Sequence, residues 1–349
     1  LQHGIDIANN ILHKSCNLFY VIVNTPWSIR HDGEHIVSSL QKENLLKARY
    51  TTHGYFIKDS IVHFGSEHVI PSTFKRKFNK KNRHGVSIFH IDPSISDIDK
   101  FSSIEPLFQF IHTSCQLTKQ QLSTYGINSK KIHVIPLGVD MKIFKPLPME
   151  DRIKLRQKYR LSKNEFVVGS FQKDGIGWGD GYEPKHIKGP DILIKAIKKI
   201  YHDIPVRVLL SGPARGFVIK EFKKNGIPFT YLGFSRQHNV VAEYYQLLDM
   251  YLISSRVEGG PKQILESWAS GIPLVSTNVG MIPDIALDNV NALLSSSEDE
   301  SLLMKNITRL YGDKNLSEYL CANASHEVRK YSWDVIAMKY YQQLYRDII

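Results

Sequence analysis

The chain has 349 residues, 42% hydrophobic and 23% charged, with 45 Lys and Arg against 34 Asp and Glu for a net charge of +11. That balance excludes a disordered chain, and the length fits two globular domains better than one. No run of 18 apolar residues exists, which excludes a membrane-spanning helix, and the positive excess favours anionic partners. The start, Leu1-Gln2-His3-Gly4-Ile5-Asp6, has no signal-peptide pattern. Cys16, Cys115 and Cys321 stand far apart with no metal or redox spacing, which fits a reducing, cytoplasmic compartment.

In chain order, the apolar run Leu18 to Val23 reads as a first core strand. Asp32 to Lys47 reads as a helix, with Ile36, Val37, Leu40, Leu45 and Leu46 as its apolar stripe. Asp32-Gly33 would form the loop between that strand and helix. Further strands are expected at Gly54–Ile57, Ser60–Phe64 and Val86–Ile91, and strands alternating with helices imply a parallel, doubly wound sheet. Lys75-Arg76-Lys77-Phe78-Asn79-Lys80-Lys81-Asn82-Arg83 concentrates positive charge around one Phe, which suits an anionic membrane surface or a phosphorylated acceptor. No finger, recognition helix or aromatic-interleaved RNA motif accompanies it, so no nucleic-acid partner is expected.

Phe89-His90-Ile91-Asp92 closes a strand, at the carboxyl edge where α/β sheets place ligands. Asp97-Ile98-Asp99 is an Asp-x-Asp in a Ser- and Asp-rich loop and is not read as a metal site. None of the histidines has metal-ligand spacing either, so no metal site is expected. Thr113 to Gly126 reads as strand end, helix and glycine cap. Lys131-Ile132-His133-Val134-Ile135-Pro136-Leu137-Gly138-Val139-Asp140 follows, and Pro146 and Pro148 mark a domain boundary.

The second half opens with a charged helix, Asp151 to Arg160, and the strand Phe166–Phe171. A loop from Gln172 to Gly189 holds Gly175, Gly177, Gly179 and Gly181, whose spacing does not fit a dinucleotide fingerprint. Asp191 then opens an amphipathic helix through Ile192, Leu193, Ala196, Ile197 and Ile200. Val206–Ser211 with Gly212 and Phe229-Thr230-Tyr231-Leu232-Gly233 are strand ends at the ligand edge. Val275–Val279 with Gly280 is another strand and turn. Trp333 to Ile349 carries an aromatic stripe at helical spacing that reads as core.

The most informative stretch is Ser254-Ser255-Arg256-Val257-Glu258-Gly259-Gly260-Pro261-Lys262-Gln263-Ile264-Leu265-Glu266, after the strand Leu248–Ile253. Pro261 suits a first helical position and Gly271 a helix end. A strand, a glycine turn and a helix start aim orphan N–H donors and the helix dipole at one spot, which favours an anion. Glu258 and Glu266 frame the turn, and a carboxylate suits paired sugar hydroxyls better than phosphate. A nucleotide sugar offers both chemistries.

Glu-x7-Glu followed by Ala-Ser-Gly-Ile-Pro-Leu-Val-Ser-Thr-Asn-Val-Gly (269–280) resembles the donor-site signature of retaining glycosyltransferases of family 4, of the GT-B fold. The resemblance covers most of residues 85–349. It implies two Rossmann-like, doubly wound parallel-sheet domains facing across a cleft: an acceptor-side domain over 1–146, a nucleotide-sugar domain over 147–331, and a terminal helix over 332–349 crossing back. Glu266 would hold the ribose hydroxyls and Glu258 the transferred sugar, with Gly259, Gly260, Pro261 and Lys262 cradling the phosphate side. Arg256 would support phosphate or pair with Glu258. Tyr231, Leu232 and Gly212 would line the nucleotide end, and His90 would reach the reacting sugar. The family's diphosphate cations are an Arg and a Lys. Lys188 matches the Lys; Ser170 stands near the Arg's place, leaving Lys173 as the nearest basic substitute.

The implied activity is metal-independent transfer from a nucleotide-sugar donor, with retention, to a glycan, lipid-linked or other anionic acceptor, as in polysaccharide biosynthesis. The donor is a substrate and no cofactor is implied. Lys75 to Arg83 would touch the inner face of the membrane peripherally. A sugar-phosphate-using phosphorylase or synthase of the same fold, and a non-catalytic nucleotide-sugar-binding protein, are the alternatives.

Overall fold

The computed structural model describes residues 16–24, 28–71, 79–89, 91 and 101–349. The chain divides into two compact units, Leu1–Gly138 with Lys330–Ile349, and Val139–Arg329. No helix among the described residues is long and apolar enough to cross a membrane.

The first unit is built on β1 (Leu18–Val21), β2 (Ala48–Thr51), β3 (Ile61–Phe64), β4 (Arg83–Ser87), β5 (Phe110–Thr113) and β6 (Ile132–Val134). All pair in parallel, in the order β2-β1-β3-β4-β5-β6. β1, β3 and β5 are buried along their whole length, as strands covered on both faces must be. Helix α1 (Ser28–Lys42) starts earlier than its apolar stripe predicts and includes Asp32 and Gly33. The expected loop there is corrected: Gly33 is a packing glycine, because a Cβ would come within 2.5 Å of Ile22 Cγ2 and 2.8 Å of Tyr20 Cδ1. The helix ends at Lys42, and Asn44 follows at φ 53°. The expected strand at Gly54–Ile57 does not form. Phe56 sits at φ 65°, a left-handed conformation no strand contains, and β2 takes the edge position instead. β4 also lies earlier than the expected Val86–Ile91. Helix α2 (Gln116–Thr124) ends as predicted, with Gly126 at φ 82°.

The first unit is closed by residues from the far end of the chain. Helix α11 (Trp333–Tyr340) packs on α1, where Ser39 Oγ donates to Asp334 Oδ1 at 2.9 Å and His35 stacks on Trp333 at 5.2 Å. Gly138 lies under the same indole, with no room for a Cβ. Beyond α11, Tyr345 reaches a buried polar chain. His112 Nε2 is 2.9 Å from the Ile135 carbonyl, which can only accept, so that nitrogen carries the proton. His112 Nδ1 therefore accepts from Ser87 Oγ at 2.8 Å, Ser87 accepts from His63 Nε2 at 2.9 Å, and His63 Nδ1 accepts from the Tyr345 hydroxyl at 2.6 Å. The Tyr340 hydroxyl also lies 3.1 Å from both ring nitrogens of His112. Burial holds His112 down to about 4 and His63 well below the ordinary histidine range.

The second unit has β7 (Phe166–Phe171), β8 (Val206–Ser211), β9 (Phe229–Tyr231), β10 (Met250–Ile253), β11 (Leu274–Thr277) and β12 (Leu293–Ser295), all parallel, in the order β12-β11-β10-β7-β8-β9. Helices α3 (Met149–Lys158), α4 (Pro190–Lys198), α5 (Gly216–Asn225), α6 (His238–Tyr245), α7 (Gln263–Ala269), α8 (Ile282–Ile285), α9 (Glu300–Gly312) and α10 (Lys314–Val328) connect or flank them. The core joins Val168, Leu210 and Met250 of the sheet to Leu193, Val218 and Leu303 of the helices. β7 leads to β8 on one side and its neighbour β10 leads to β11 on the other, so the connections from these two adjacent strands leave in opposite senses. Doubly wound sheets open their crevice at such a switch point.

Burial disfavours the charged form of both histidines. Below about pH 6.5 the unfolded chain takes up a proton on each, while folded His112 stays neutral to about pH 4 and folded His63 resists protonation too, so stability falls as pH is lowered through that window. The expected slope is ~1.4 kcal/mol per pH unit per histidine. Melting temperatures measured from pH 7 to 5 test this; a flat or rising profile on acidification contradicts it.

Candidate functional site

The carboxyl ends of β7 and β10 are joined by a close backbone contact. After β7 the chain runs through residues 172–189 and ends in the turn Lys188-Gly189 before α4. Gly189 has φ 58°, and a Cβ there would lie 1.8 Å from the Ser254 carbonyl oxygen. Ser254 Oγ donates to the Gly189 carbonyl at 3.0 Å, and the N–H groups of Arg256 and Val257 both donate to the Ile187 carbonyl. The turn before α4 is thereby laid on the segment after β10.

This contact brings Lys188 to Glu258. Lys188 Nζ is 2.6 Å from Glu258 Oε2, and Ser255 Oγ donates to Glu258 Oε1 at 2.8 Å, so both carboxylate oxygens are held. The two side chains are 21% and 12% exposed, which leaves the pair reachable by a ligand yet weakly screened. Thr277 Oγ1 donates to the Ser255 carbonyl at 2.6 Å from the end of β11. Gly280 also presses on the turn, since a Cβ there would meet the Gly259 carbonyl oxygen at 2.4 Å. Among the described residues, the N–H groups of Gly259 and Gly260 have no acceptor. Helix α7 starts two residues after Pro261, whose carbonyl accepts from Ile264 N–H, and Lys262 occupies the cap position.

Glu266, one turn into α7, is half-buried, and its Oε2 accepts from the Tyr245 hydroxyl at 2.9 Å. Burial first and the Glu266 charge next push Tyr245 well above the ordinary tyrosine range, so it remains a donor. Tyr251 donates to the Phe171 carbonyl and accepts its N–H, and Gln263 Nε2 also reaches that carbonyl at 3.3 Å. Gln172 Nε2 donates to the Lys188 carbonyl at 3.1 Å. The end of β7 thus supports both Lys188 and α7.

At the β8–β9 edge, Gly212 has φ 109° and accepts from the Tyr231 hydroxyl at 2.9 Å. Ser211 Oγ and Gly212 N–H both donate to the Gly233 carbonyl, and Leu232 N–H donates to the Leu210 carbonyl. Tyr231, Leu232 and Gly212 therefore form one edge of the same sheet end.

The expected alternative pairing of Arg256 with Glu258 is corrected. Its guanidinium makes a bidentate pair with Asp191 at 2.7 and 2.8 Å, reaches Glu298 at 2.6 Å and donates to the His186 carbonyl. Two carboxylates raise its pKa further, with the Asp191 hydrogen bonds contributing most. Arg256 fastens the turn before α4 from behind. Lys173 lies with Nζ 4.1 Å from the centre of the Trp178 ring, and burial lowers its pKa. His90, Lys75 to Phe78 and Asp97 to Asp99 lie outside the described residues.

The sequence reading misses a buried cation. Arg215 and Asp174 form an ion pair at 3.2 Å with both side chains fully buried, and Arg215 also donates to the Ser170, Gln172 and Ser211 carbonyls. It ties together the ends of β7 and β8. Burial raises the Asp174 pKa despite the guanidinium. Ser170, which stands near the place of the missing family Arg, accepts from Arg215 through its Oγ at 3.2 Å. Among the described residues, no group of three or more His, Cys, Asp or Glu could hold a metal ion.

Gly189→Ala, meeting both a forbidden contact and a left-handed φ, is expected to lower stability by more than ~2 kcal/mol. Gly226→Ala has φ 66° but open space around it and should lose only ~1 kcal/mol. Equal denaturation midpoints for the two variants would show that the 189–254 contact is soft.

Residues 179–313 match the family described as Glycosyl transferases group 1. A D-inositol 3-phosphate glycosyltransferase of Xylanimonas cellulosilytica is 25% identical over 221 residues, 61% of this chain and 51% of that protein. The chain spans about half the length of the curated relatives it matches. Among solved structures, Anabaena HepE in complex with UDP aligns with a TM-score of 0.76 at 16% identity, over 94% of this chain and 98% of that one. Sucrose-phosphate synthase from Thermosynechococcus elongatus aligns with a TM-score of 0.74 at 14% identity, over 95% and 98%. With its two parallel six-stranded sheets, the chain has the GT-B fold of these structures, and its second unit carries the segment that matches Glycosyl transferases group 1.

Proposed function

We propose that the protein is a glycosyltransferase that draws a sugar from a nucleotide-diphosphate donor held by the second unit. The observation that carries this is the Lys188–Glu258 pair, with the partnerless N–H groups of Gly259 and Gly260 beside it. A cation and free backbone donors suit a diphosphate, and an oriented carboxylate suits sugar hydroxyls. The match of residues 179–313 and a structural neighbour solved with UDP support the same reading.

In this reading Glu266 accepts both ribose hydroxyls, with Tyr245 fixing its carboxylate. Leu232 and Gly212 border the base, and Gly259 to Lys262 border the phosphates. Lys188 shifts from Glu258 to the diphosphate as charge grows on the leaving group, and Glu258 is freed to hold the transferred sugar. Stabilising that departing charge is the main catalytic contribution, because a cation acts most strongly where charge develops in a partly water-free site. Lys173 is the second candidate cation and would have to leave the Trp178 ring to act. The transfer is metal-independent and retains anomeric configuration, and His90 reaches the reacting sugar. The acceptor is a glycan, lipid-linked or other anionic molecule, with Lys75 to Arg83 meeting the membrane surface.

Thermal-shift and calorimetric titration with UDP-, GDP-, ADP- and TDP-linked sugars tests the donor, since ligand binding raises the melting temperature by mass action. Glu266→Ala should weaken donor affinity by about 10- to 100-fold with an unchanged fold, the effect of losing hydrogen bonds to a charged group. Unchanged affinity would remove Glu266 from the site. Lys188→Gln should lower kcat more than it raises KM, because its charge matters most as the diphosphate leaves. A change in KM alone would make Lys188 a binding residue only. Transfer should persist in excess chelator.

A further inference from the structure

An open cavity of about 510 Å³ lies beside this edge, outside the Lys188–Glu258–Glu266 cluster. Its walls come from two elements: the glycine-rich loop after β7, through Asp180 and Tyr182, and α5, through Lys220 and Lys223, with Tyr231 of β9 completing it. The volume falls within the range of small-ligand pockets.

The loop is fixed in shape. Gly216 and Phe217 N–H groups donate to the Asp180 and Gly181 carbonyls, so the start of α5 is capped by the loop backbone. Gly181 packs on Ala214 with no space for a Cβ, and Ala214 itself holds φ 56°, an uncommon conformation for a residue with a side chain. Below them lies the Arg215–Asp174 pair. A strained residue over a buried ion pair is an expensive way to shape a surface loop if the surface does nothing.

The chemistry inside the cavity is mixed in a particular way. Tyr182 and Tyr231 are 64% and 43% exposed, and Tyr182 rests its ring edge near Gly216. Tyr231, expected from the sequence at the nucleotide end, has its hydroxyl on Gly212 and lines this cavity instead. Exposed flat rings of this kind, one of them held by its hydroxyl, can receive the C–H face of a sugar. Lys220 and Lys223, on successive positions of one helix face, have no hydrogen-bond or ion-pair partner among the described residues. Asp180 supplies one carboxylate for hydroxyls. Because Arg215 is neutralised by Asp174, the lining is positive by the two lysines less Asp180.

We propose that this cavity is a second saccharide site that takes an anionic sugar unit, its ring face on Tyr182 and Tyr231 and its carboxylate or phosphate on Lys220 and Lys223. The site stands on its own geometry and holds whether or not the donor reading does. The full chain is titrated by calorimetry, without nucleotide, with a glucuronate-containing disaccharide, with glucose 6-phosphate and with cellobiose. Binding of the first or second, at least ~10-fold tighter than cellobiose and weakened by salt, supports the proposal, and whichever binds identifies the charge as carboxylate or phosphate. Lys220→Gln with Lys223→Gln should remove that preference, and Tyr182→Ala should weaken binding, both with unchanged melting temperature because these side chains are exposed. Failure of both anionic probes, equal binding of cellobiose, full affinity in the double-lysine variant, or displacement by UDP would overturn it. Glu266→Ala, which tests the donor site, should leave this titration unchanged.

Discussion

At Gly189 the backbone before α4 approaches Ser254 so closely that any side chain would be driven into a carbonyl oxygen. The rest of the site follows from that approach. It lets Ile187 accept two N–H donors from the segment after β10, and it sets Lys188 beside Glu258. Arg256, bound to Asp191 at the start of α4, closes the same contact from the other side. A cation from one loop and a carboxylate from another, more than 60 residues away, become one chemical unit because a single residue lacks a Cβ.

The electrostatics are arranged in two tiers. Arg215 and Asp174 cancel each other in full burial and serve only to hold the ends of β7 and β8. Such a pair brings little net stability once desolvation is counted, but it fixes geometry. Lys188 and Glu258 are only partly covered, so a ligand can exchange with either partner. Burial decides which pair is scaffold and which is chemistry.

The second unit was legible in the sequence to the residue in places. Phe166–Phe171 appears where its apolar run lies, because a strand covered on both faces leaves a continuous signal that needs no partner to interpret, and Phe229–Tyr231 appears as expected at the sheet edge. The Glu258–Glu266 spacing and Gly271 were equally visible. What failed depended on tertiary contact. Asp32-Gly33 looked like a loop, but its glycine answers to Tyr20 and Ile22 across the helix–sheet interface. Gly54–Ile57 had strand composition, but Phe56 sits left-handed at φ 65°. Arg256 stood beside Glu258 in sequence and chose Asp191, 65 positions away. Of the glycines after β7, Gly175 and Gly181 serve the packing of the loop on Ala214 before α5, and the cavity beside them has no linear pattern to find.

Tyr345 completes a proton-ordered path that begins at Ile135, and the two lie on opposite sides of the whole second unit in the chain. During synthesis, the strands of the first unit emerge long before α11 and Tyr345 exist. Until then His63 lacks its hydroxyl partner, the Gly138 backbone lacks its indole cover, and α1 presents an unoccupied flank. The later-made unit, uninterrupted in sequence, can finish first. Vectorial translation therefore leaves the earlier half waiting, and a ribosome stalled before Tyr345 is made holds a nascent chain whose first unit lacks its closing contacts.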